Sequence, residues 1–367
     1  MPEHPLDWDR ALQTAEAESL APAVAFAFNG AHHERVPSAV HARLRRHFVE
    51  ATARHLVLTG ELARLLKSFA RDDVPVMPLK GPVLAENFYP DAALRPFTDL
   101  DLLTRREHVE RVDDLLRRLG YRRIADDHSF DFDVAYDRAT LYRSPSGVHV
   151  DLHWSLLSEP RYSWNESEAQ RVWERAVPIR VAGENAAGLC PEDLFLYLCV
   201  HLAAHHSLAG LLWYYDLFLI VERAGDRLDW DAVRARASRW RVRAAAYFAL
   251  RELARLFDAR IPAEVIADLR PRGPRAAVMT WLLRHREDAQ RRAAEHVIGL
   301  LLVDRGRDVF GTLRRIVVPR PDWMAARYED AGGSRVRQYA AHYRRIGEVM
   351  NRAVAGLRPR RRASKRV

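Results

Sequence analysis

From Ser38 to Phe69 the apolar positions Val40, Leu44, Phe48, Ala51, Leu56, Leu58, Leu62, Leu65, Leu66 and Phe69 recur at a roughly helical spacing. The spacing predicts one long helix, or two packed end to end. Arg71-Asp72-Asp73 interrupts it, and Val74 to Leu79 is short, apolar and bounded by charge, as a buried strand would be. Gly81-Pro82 then matches a helix start, predicting a helix over Pro82 to Phe88. Asp91 to Thr98 reads as a loop and Asp99 to Leu103 as a second strand. Arg105 to Leu119 is amphipathic, and Gly120 closes it as a C-terminal cap would.

Tyr121 to Ala125 predicts a short strand, and Phe132 to Tyr142 and Val148 to Trp154 two more, joined by the turn Ser144-Pro145-Ser146-Gly147. A helix near Glu166 to Arg175 and an edge strand over Val177 to Val181 follow, then a loop, Gly183 to Gly188, taken as the domain boundary. Beyond it the pattern is almost purely helical: Pro191 to Ser207, Leu211 to Ala224, Trp230 to Trp240, Val242 to Phe257, Pro262 to Leu269 and more to about Ala355. Residues 1 to 35 have weak periodicity and predict only a partly ordered lead-in.

This order predicts an α+β protein: a small mixed β-sheet core with an N-terminal helical segment and a C-terminal helical domain. The expected divisions are a helical segment to 71, the α/β core over 72–182, a helical domain over 183–355 and a basic tail over 356–367.

Strand alternation gives this pattern chemical meaning. Asp99 and Asp101 project from one face while Leu100 and Leu102 face the core. The same rule puts His149, Asp151 and His153 together, opposite Val148, Val150 and Leu152. If the two strands are neighbours, three carboxylates converge, and a bound cation relieves their repulsion. Oxygen ligands favour Mg²⁺ or Mn²⁺, shared with substrate phosphates, and a metal pair could serve in-line displacement. A mixed His and Asp set leaves Zn²⁺ or Mn²⁺ hydrolysis open. Upstream, the bare Gly81 permits close backbone approach at a helix N-terminus, where an anion binds readily.

In this order the residues resemble a family, the uncharacterised nucleotidyltransferases of the polymerase-beta-like superfamily. The matching positions are Leu79-Lys80-Gly81, Tyr89, Arg95, Asp99-Leu100-Asp101-Leu102-Leu103, Gly120-Tyr121 and Val150-Asp151-Leu152-His153-Trp154. They continue into Pro191-Glu192-Asp193, His201, His205, Trp213 and Asp216, so the resemblance covers Val74 to Val221. It implies Asp99 and Asp101 as the metal-binding pair and Asp151 as the third carboxylate. The expected activity is transfer of a nucleoside monophosphate from a nucleoside triphosphate (NTP), with Mg²⁺ or Mn²⁺, to an acceptor that the sequence does not name, whether a small molecule, a peptide, a protein or RNA. In the wider superfamily the phosphate turn is glycine followed by serine or a second glycine, whereas Pro82 follows Gly81 here. Lys80 replaces it as a point charge toward phosphate, and the resemblance adds Arg95 as a clamp.

His201 and His205, one helical turn apart, are candidates for metal or substrate contact, although Leu202 stands where an H-E-x-x-H motif needs glutamate. Asp216 either pairs with Arg223 or a histidine, or faces the cleft. A Walker lysine motif, a nucleophile elbow and a dinucleotide G-x-G-x-x-G are all absent in the right context.

Composition changes little. The net charge of +9 suggests an anionic partner, but lysine occurs only at Lys67, Lys80 and Lys365, so the charge is that of an arginine-rich chain. Nucleic acid is therefore not favoured. Cys190 and Cys199, the two cysteines, read as buried thiols of a reducing cytoplasm. Met1 to Leu20 lacks the apolar core of a secretory signal, and Leu194 to Val221 carries His201, His205, His206 and Asp216, so no membrane span is expected. Two rival readings stand beside the transferase: a non-catalytic binding protein on the same fold, and a hydrolase with a metal on His149, Asp151, His153 and His201.

Overall fold

A computed structural model describes residues 7–28, 36–124, 138–157, 165–285, 301–304, 317–328 and 334–357, with the single positions Phe130, Val134, Phe310 and Arg314. The basic tail from 358 and part of the expected helical run, 286–300, lie outside the described residues.

Two short helices open the chain, α1 (Trp8–Ala17) and α2 (Ala21–Phe28), where only a partly ordered lead-in was expected. They bury Leu12, Ala15, Ala21 and Ala25 against Val40 and Leu44. Much of that buried face is alanine, and so small a face leaves a faint periodicity. Helix α3 (Ser38–Arg71) is single and continuous, as the apolar spacing predicts.

The core follows as β1 (Val76–Leu79), α4 (Gly81–Phe88), β2 (Asp99–Thr104), α5 (Val109–Arg118), β3 (Arg122–Ile124), β4 (Ala139–Arg143) and β5 (His149–His153). Gly120 ends α5 at φ +84°, a conformation that favours glycine. Strand β4 is shorter than the expected Phe132 to Tyr142: Val134 is helical, and the residues around it lie outside the described set. The sheet runs β1-β2-β5-β4-β3, antiparallel except for the parallel pair β2 and β5.

After α6 (Glu166–Glu174), β6 (Val177–Val181) and β7 (Glu184–Gly188) form a separate antiparallel hairpin. The loop expected over Gly183 to Gly188 is thus mostly a strand. Ala and Gly have low strand propensity, but here they permit close packing: a Cβ on Gly188 would meet Ile179 at 2.8 Å. The chain then continues through α7 (Pro191–His205), α8 (Leu211–Ala224), α9 (Trp230–Trp240), α10 (Arg243–Leu256), α11 (Ala263–Leu269), α12 (Arg275–His285), α13 (Pro321–Arg327) and α14 (Arg335–Leu357).

The two faces of the sheet have different partners. Leu100, Leu102, Val150 and Leu152 pack with Leu62, Leu65 and Phe69 of α3 and with Val112 and Leu116 of α5. Met77, Leu79 and Leu103, on the opposite face, join Phe195, Leu198 and Leu202 of α7 in the larger core. Asp99, Asp101 and Asp151 share this second face, so the helical region packs beside the carboxylates. No described helix is long and apolar enough to cross a membrane.

Candidate active site

The parallel register places Asp99 opposite His149, Asp101 opposite Asp151 and Leu103 opposite His153. The expected adjacency of the two acidic strands is therefore present. His153 Nε2 lies 3.0 Å from Asp101 Oδ1 and 3.2 Å from Asp151 Oδ2. One donor atom from each of Asp101, Asp151 and His153 falls within 4.8 Å of the others, a group able to hold a cation. Asp99 stands two residues earlier on the same face. His149 is exposed.

Lys80 reaches into this cluster from the turn before α4, with Nζ 2.6 Å from Asp101 Oδ1 and 5.8 Å from the centre of the Tyr197 ring. Its φ of +44° is unusual for a residue other than glycine, and such strain persists only where surrounding contacts fix it. The ion pair with Asp101 is one such contact, and the acceptance of Leu84 N–H by Lys80 O, at 2.8 Å, is another. Gly81, Pro82 and Val83 are buried. A Cβ on Gly81 would lie 2.8 Å from Phe97 Cγ, so its bare Cα serves packing within the protein. The turn presents the Lys80 ammonium to the carboxylates.

Arg95 points elsewhere. It is 3% exposed and paired through two nitrogens to Asp216, at 2.9 and 3.2 Å, with Tyr89 donating to the same carboxylate at 2.7 Å. Trp213 stacks on its guanidinium at 5.3 Å. The partners of Asp216 are thus Arg95 and Tyr89, in place of the expected Arg223 or a histidine. His201 Nε2 lies 3.1 Å from His206 Nε2, and its ring stacks on His205 at 5.0 Å. Neither His201 nor His205 joins the carboxylate group among the described residues. Sequence reasoning missed Tyr197 and His206, which fall on an apolar helix and its end, where nothing but the tertiary fold marks them.

The charges are strongly coupled. Burial alone would raise the Asp101 carboxyl, but His153 and Lys80 hold it well below the usual range. Burial alone would lower His153, yet Asp151 and Asp101 lift it to about 9. Burial and the neighbouring Asp101 push Asp99 upward, with Lys80 opposing. Burial and the cation of Lys80 hold His201 well below its ordinary value. In this state a lysine and a protonated histidine compensate Asp101 and Asp151.

The five-stranded mixed sheet, flanked by helices, carries its carboxylates on the neighbouring parallel strands β2 and β5. The family model for uncharacterised nucleotidyltransferases matches residues 4–258, and the chain belongs to that family. No curated protein shows a significant match. Among solved structures, the chain is similar to ANT(2")-Ia in complex with adenylyl-2"-tobramycin: 14% identity, 53% of this chain and 98% of that one, TM-score 0.35. It is also similar to the lincomycin-bound lincosamide antibiotic adenylyltransferase LnuA: 15% identity, 44% of this chain and 94% of that one, TM-score 0.31.

Proposed function

We propose that the protein transfers a nucleoside monophosphate from an NTP to an acceptor hydroxyl, with a divalent cation, Mg²⁺ or Mn²⁺, held at the β2–β5 pair. The observation that carries this reading is the convergence of Asp101, Asp151 and His153 on one face, in a member of a nucleotidyltransferase family. Two carboxylate oxygens and an imidazole nitrogen fit a divalent ion, with Mn²⁺ suited to the mixed set. Such an ion, when bound, supplies positive charge to the phosphates and to the leaving pyrophosphate.

The other roles belong to the chain. Asp99 shares the face and adds a third carboxylate. Asp151, less covered than Asp101, is placed to take the acceptor proton. Lys80 exchanges its carboxylate partner for a phosphate oxygen when nucleotide arrives. Arg95 acts through Asp216, fixing α8 against the loop before β2, and His201 of α7, with His205 stacked on it, lies within reach of the Lys80 charge. The helical region from 183 onward selects the acceptor.

The test supplies each NTP in turn with Mg²⁺ or Mn²⁺ and a panel of acceptors, following transfer of label from the α-phosphate. The parent transfers label and Asp101→Ala does not; equal transfer by both removes the mechanism. A second reading, a binding protein on the same fold, draws on the closed pairing of Lys80 and His153 with the carboxylates. Calorimetry separates the two, since a pure scaffold gives no metal-dependent heat with NTP. Of the four residues considered for a hydrolytic site, only Asp151 and His153 come together among the described residues.

A further inference from the structure

Lys80 has two sides. On one lie the carboxylates, with Nζ 2.6 Å from Asp101 Oδ1. On the other, the second half of α7 and the residue after it carry Tyr197, His201 and His206. Lys80 Nζ stands 5.8 Å from the centre of the Tyr197 ring, that ring 6.2 Å from the ring of His201, and His201 Nε2 3.1 Å from His206 Nε2. A continuous path of polar side chains thus leads from the carboxylate group to the corner between α7 and α8. There Trp213 stacks on His206 at 4.1 Å and carries the Arg95 guanidinium at 5.3 Å. His201, His206 and Trp213 are half-buried, so the far end of the path lies within reach of a ligand.

The groups that meet these two imidazoles are positive or neutral. At 3.1 Å one Nε2–H donates to the other Nε2, so the facing nitrogens share a single proton. Neither ring pairs with a carboxylate among the described residues. Burial, the neighbouring His205 and the cations of Lys80 and Arg95 together lower His206 to about 4. Burial, Lys80 and the other two histidines hold His201 down, with Asp101 opposing. The carboxylate of Asp216, on α8, is already taken by Arg95 and Tyr89.

This balance favours one sign of ligand. A metal ion would find only two donor nitrogens, with no third His, Cys or carboxylate ligand grouped with them among the described residues, and Lys80 and Arg95 would repel it. An anion is attracted by the same cations. It also supplies the countercharge that lets the pair take a second proton, after which both Nε2 atoms donate. The turn before α4 leaves this task open, because the bare Cα of Gly81 faces Phe97 and presents no uncovered glycine to a phosphate.

We propose that His201 and His206, with Lys80, seat the pyrophosphate end of the nucleotide, its β- and γ-phosphates, and that the pair takes up one proton from solvent as the anion binds. The assignment to a nucleotide rests on the reading given under the proposed function; the binding of a polyphosphate anion does not.

The test uses the full chain and inorganic pyrophosphate, without metal or acceptor. Calorimetry gives the affinity. Long-range nitrogen–proton NMR of the histidine rings, assigned through His201→Gln and His206→Gln, gives their protonation. Pyrophosphate binds at pH 6.5 and raises the titration midpoint of one ring of the pair by at least about one pH unit. His206→Gln and Lys80→Met each weaken binding by at least about fivefold. Absence of binding, binding unchanged in His206→Gln, or ring midpoints unmoved by pyrophosphate overturns the proposal. So does Zn²⁺ binding that is lost in His206→Gln and kept in Asp101→Ala, since the pair would then be a cation seat. Should His206→Gln loosen the α7–α8 corner, the ring titration of the parent decides alone. Failure here leaves the transfer reading standing. Pyrophosphate binding by a protein that labels no acceptor from any NTP does the reverse, leaving the seat and overturning transfer.

Discussion

Lys80 Nζ and His153 Nε2 meet on the same atom, Asp101 Oδ1, at 2.6 and 3.0 Å. Any divalent ion that uses this oxygen competes with both. Lys80→Met therefore raises Mn²⁺ affinity in the nucleotide-free protein, by roughly tenfold for each 1.4 kcal/mol of competition removed. Under the proposed function the same variant also weakens NTP binding, because the cation that would turn from Asp101 to the phosphates is gone. Manganese titration followed by electron paramagnetic resonance, with calorimetry for NTP, reads both. A fall in Mn²⁺ affinity would show that Lys80 organises the ion site and does not compete for it.

The protonation of His153 sets a pH window. Its unfolded value is 6.5 and its folded value about 9, so protonated His153 contributes stability that is complete below 6.5 and is lost as pH rises through 9. Asp101, Asp151 and, across Asp101, Lys80 are the groups that share this balance. In the metal-free protein the unfolding free energy of the parent therefore falls between these values more steeply than that of His153→Gln. Mn²⁺ affinity rises over the same interval, since a ligating imidazole must be neutral. Urea unfolding and metal titration at pH 6.5 and 9 check both slopes; parallel unfolding profiles would remove His153 from the account.

The pair Arg95 and Asp216 shows where sequence reasoning stops. Helical spacing marked α3, and alternation marked the shared face of Asp99 and Asp101, because both periods are local and survive in a single chain. Asp151 was found for the same reason, and the parallel register of β2 and β5 did the rest. A salt bridge between residues 121 apart leaves no period to read. Arg95 therefore read as a clamp for phosphate, while its guanidinium is turned to Asp216. The strand β7 was missed because its alanines and glycine look like loop, and the close contact with Ile179 that calls for Gly188 appears only in the fold. Lys80 read as facing phosphate, whereas in this state it faces the carboxylate that the same reading assigned to metal.

Asp216→Ala tests the buried pair directly. Arg95 and Asp216 are 3% and 1% exposed on their side chains, so removing the carboxylate strands a guanidinium and costs about 3–5 kcal/mol. Replacing both, as Arg95→Met with Asp216→Leu, recovers much of that loss because no charge is left uncompensated. Denaturant unfolding of the single and double variants measures the difference. A double variant no more stable than the single one would mean that Tyr89 and Trp213, which also contact the pair, depend on it for their packing.

Gly81→Ala tests the turn that carries Lys80 without touching charge. The added methyl group meets Phe97 within 2.8 Å, and overpacking of this kind costs about 1–3 kcal/mol. With Phe97→Leu as background the penalty shrinks, since the smaller side chain can shift. An equal penalty in both backgrounds, by urea unfolding, would place the constraint in the backbone at Lys80.

Under the proposed function, the aspartates differ in how they would hold an ion. Alternation alone pairs Asp99 with Asp101, whereas the atoms that converge are those of Asp101, Asp151 and His153. Asp99 is raised in pKa by burial and by the charge of Asp101, as expected of a carboxylate beside the group. With nucleotide absent, Asp151→Asn should therefore lower Mn²⁺ affinity by roughly 10–100-fold, whereas Asp99→Asn should change it by less than about threefold. With NTP present, the triphosphate supplies further oxygens and Asp99 gains importance, so Asp99→Asn loses label transfer while keeping the first ion. Manganese titrations with and without a non-hydrolysable NTP separate the two states. Strong loss in Asp99→Asn without nucleotide would instead place the resting ion between Asp99 and Asp101, with His153 outside its ligands.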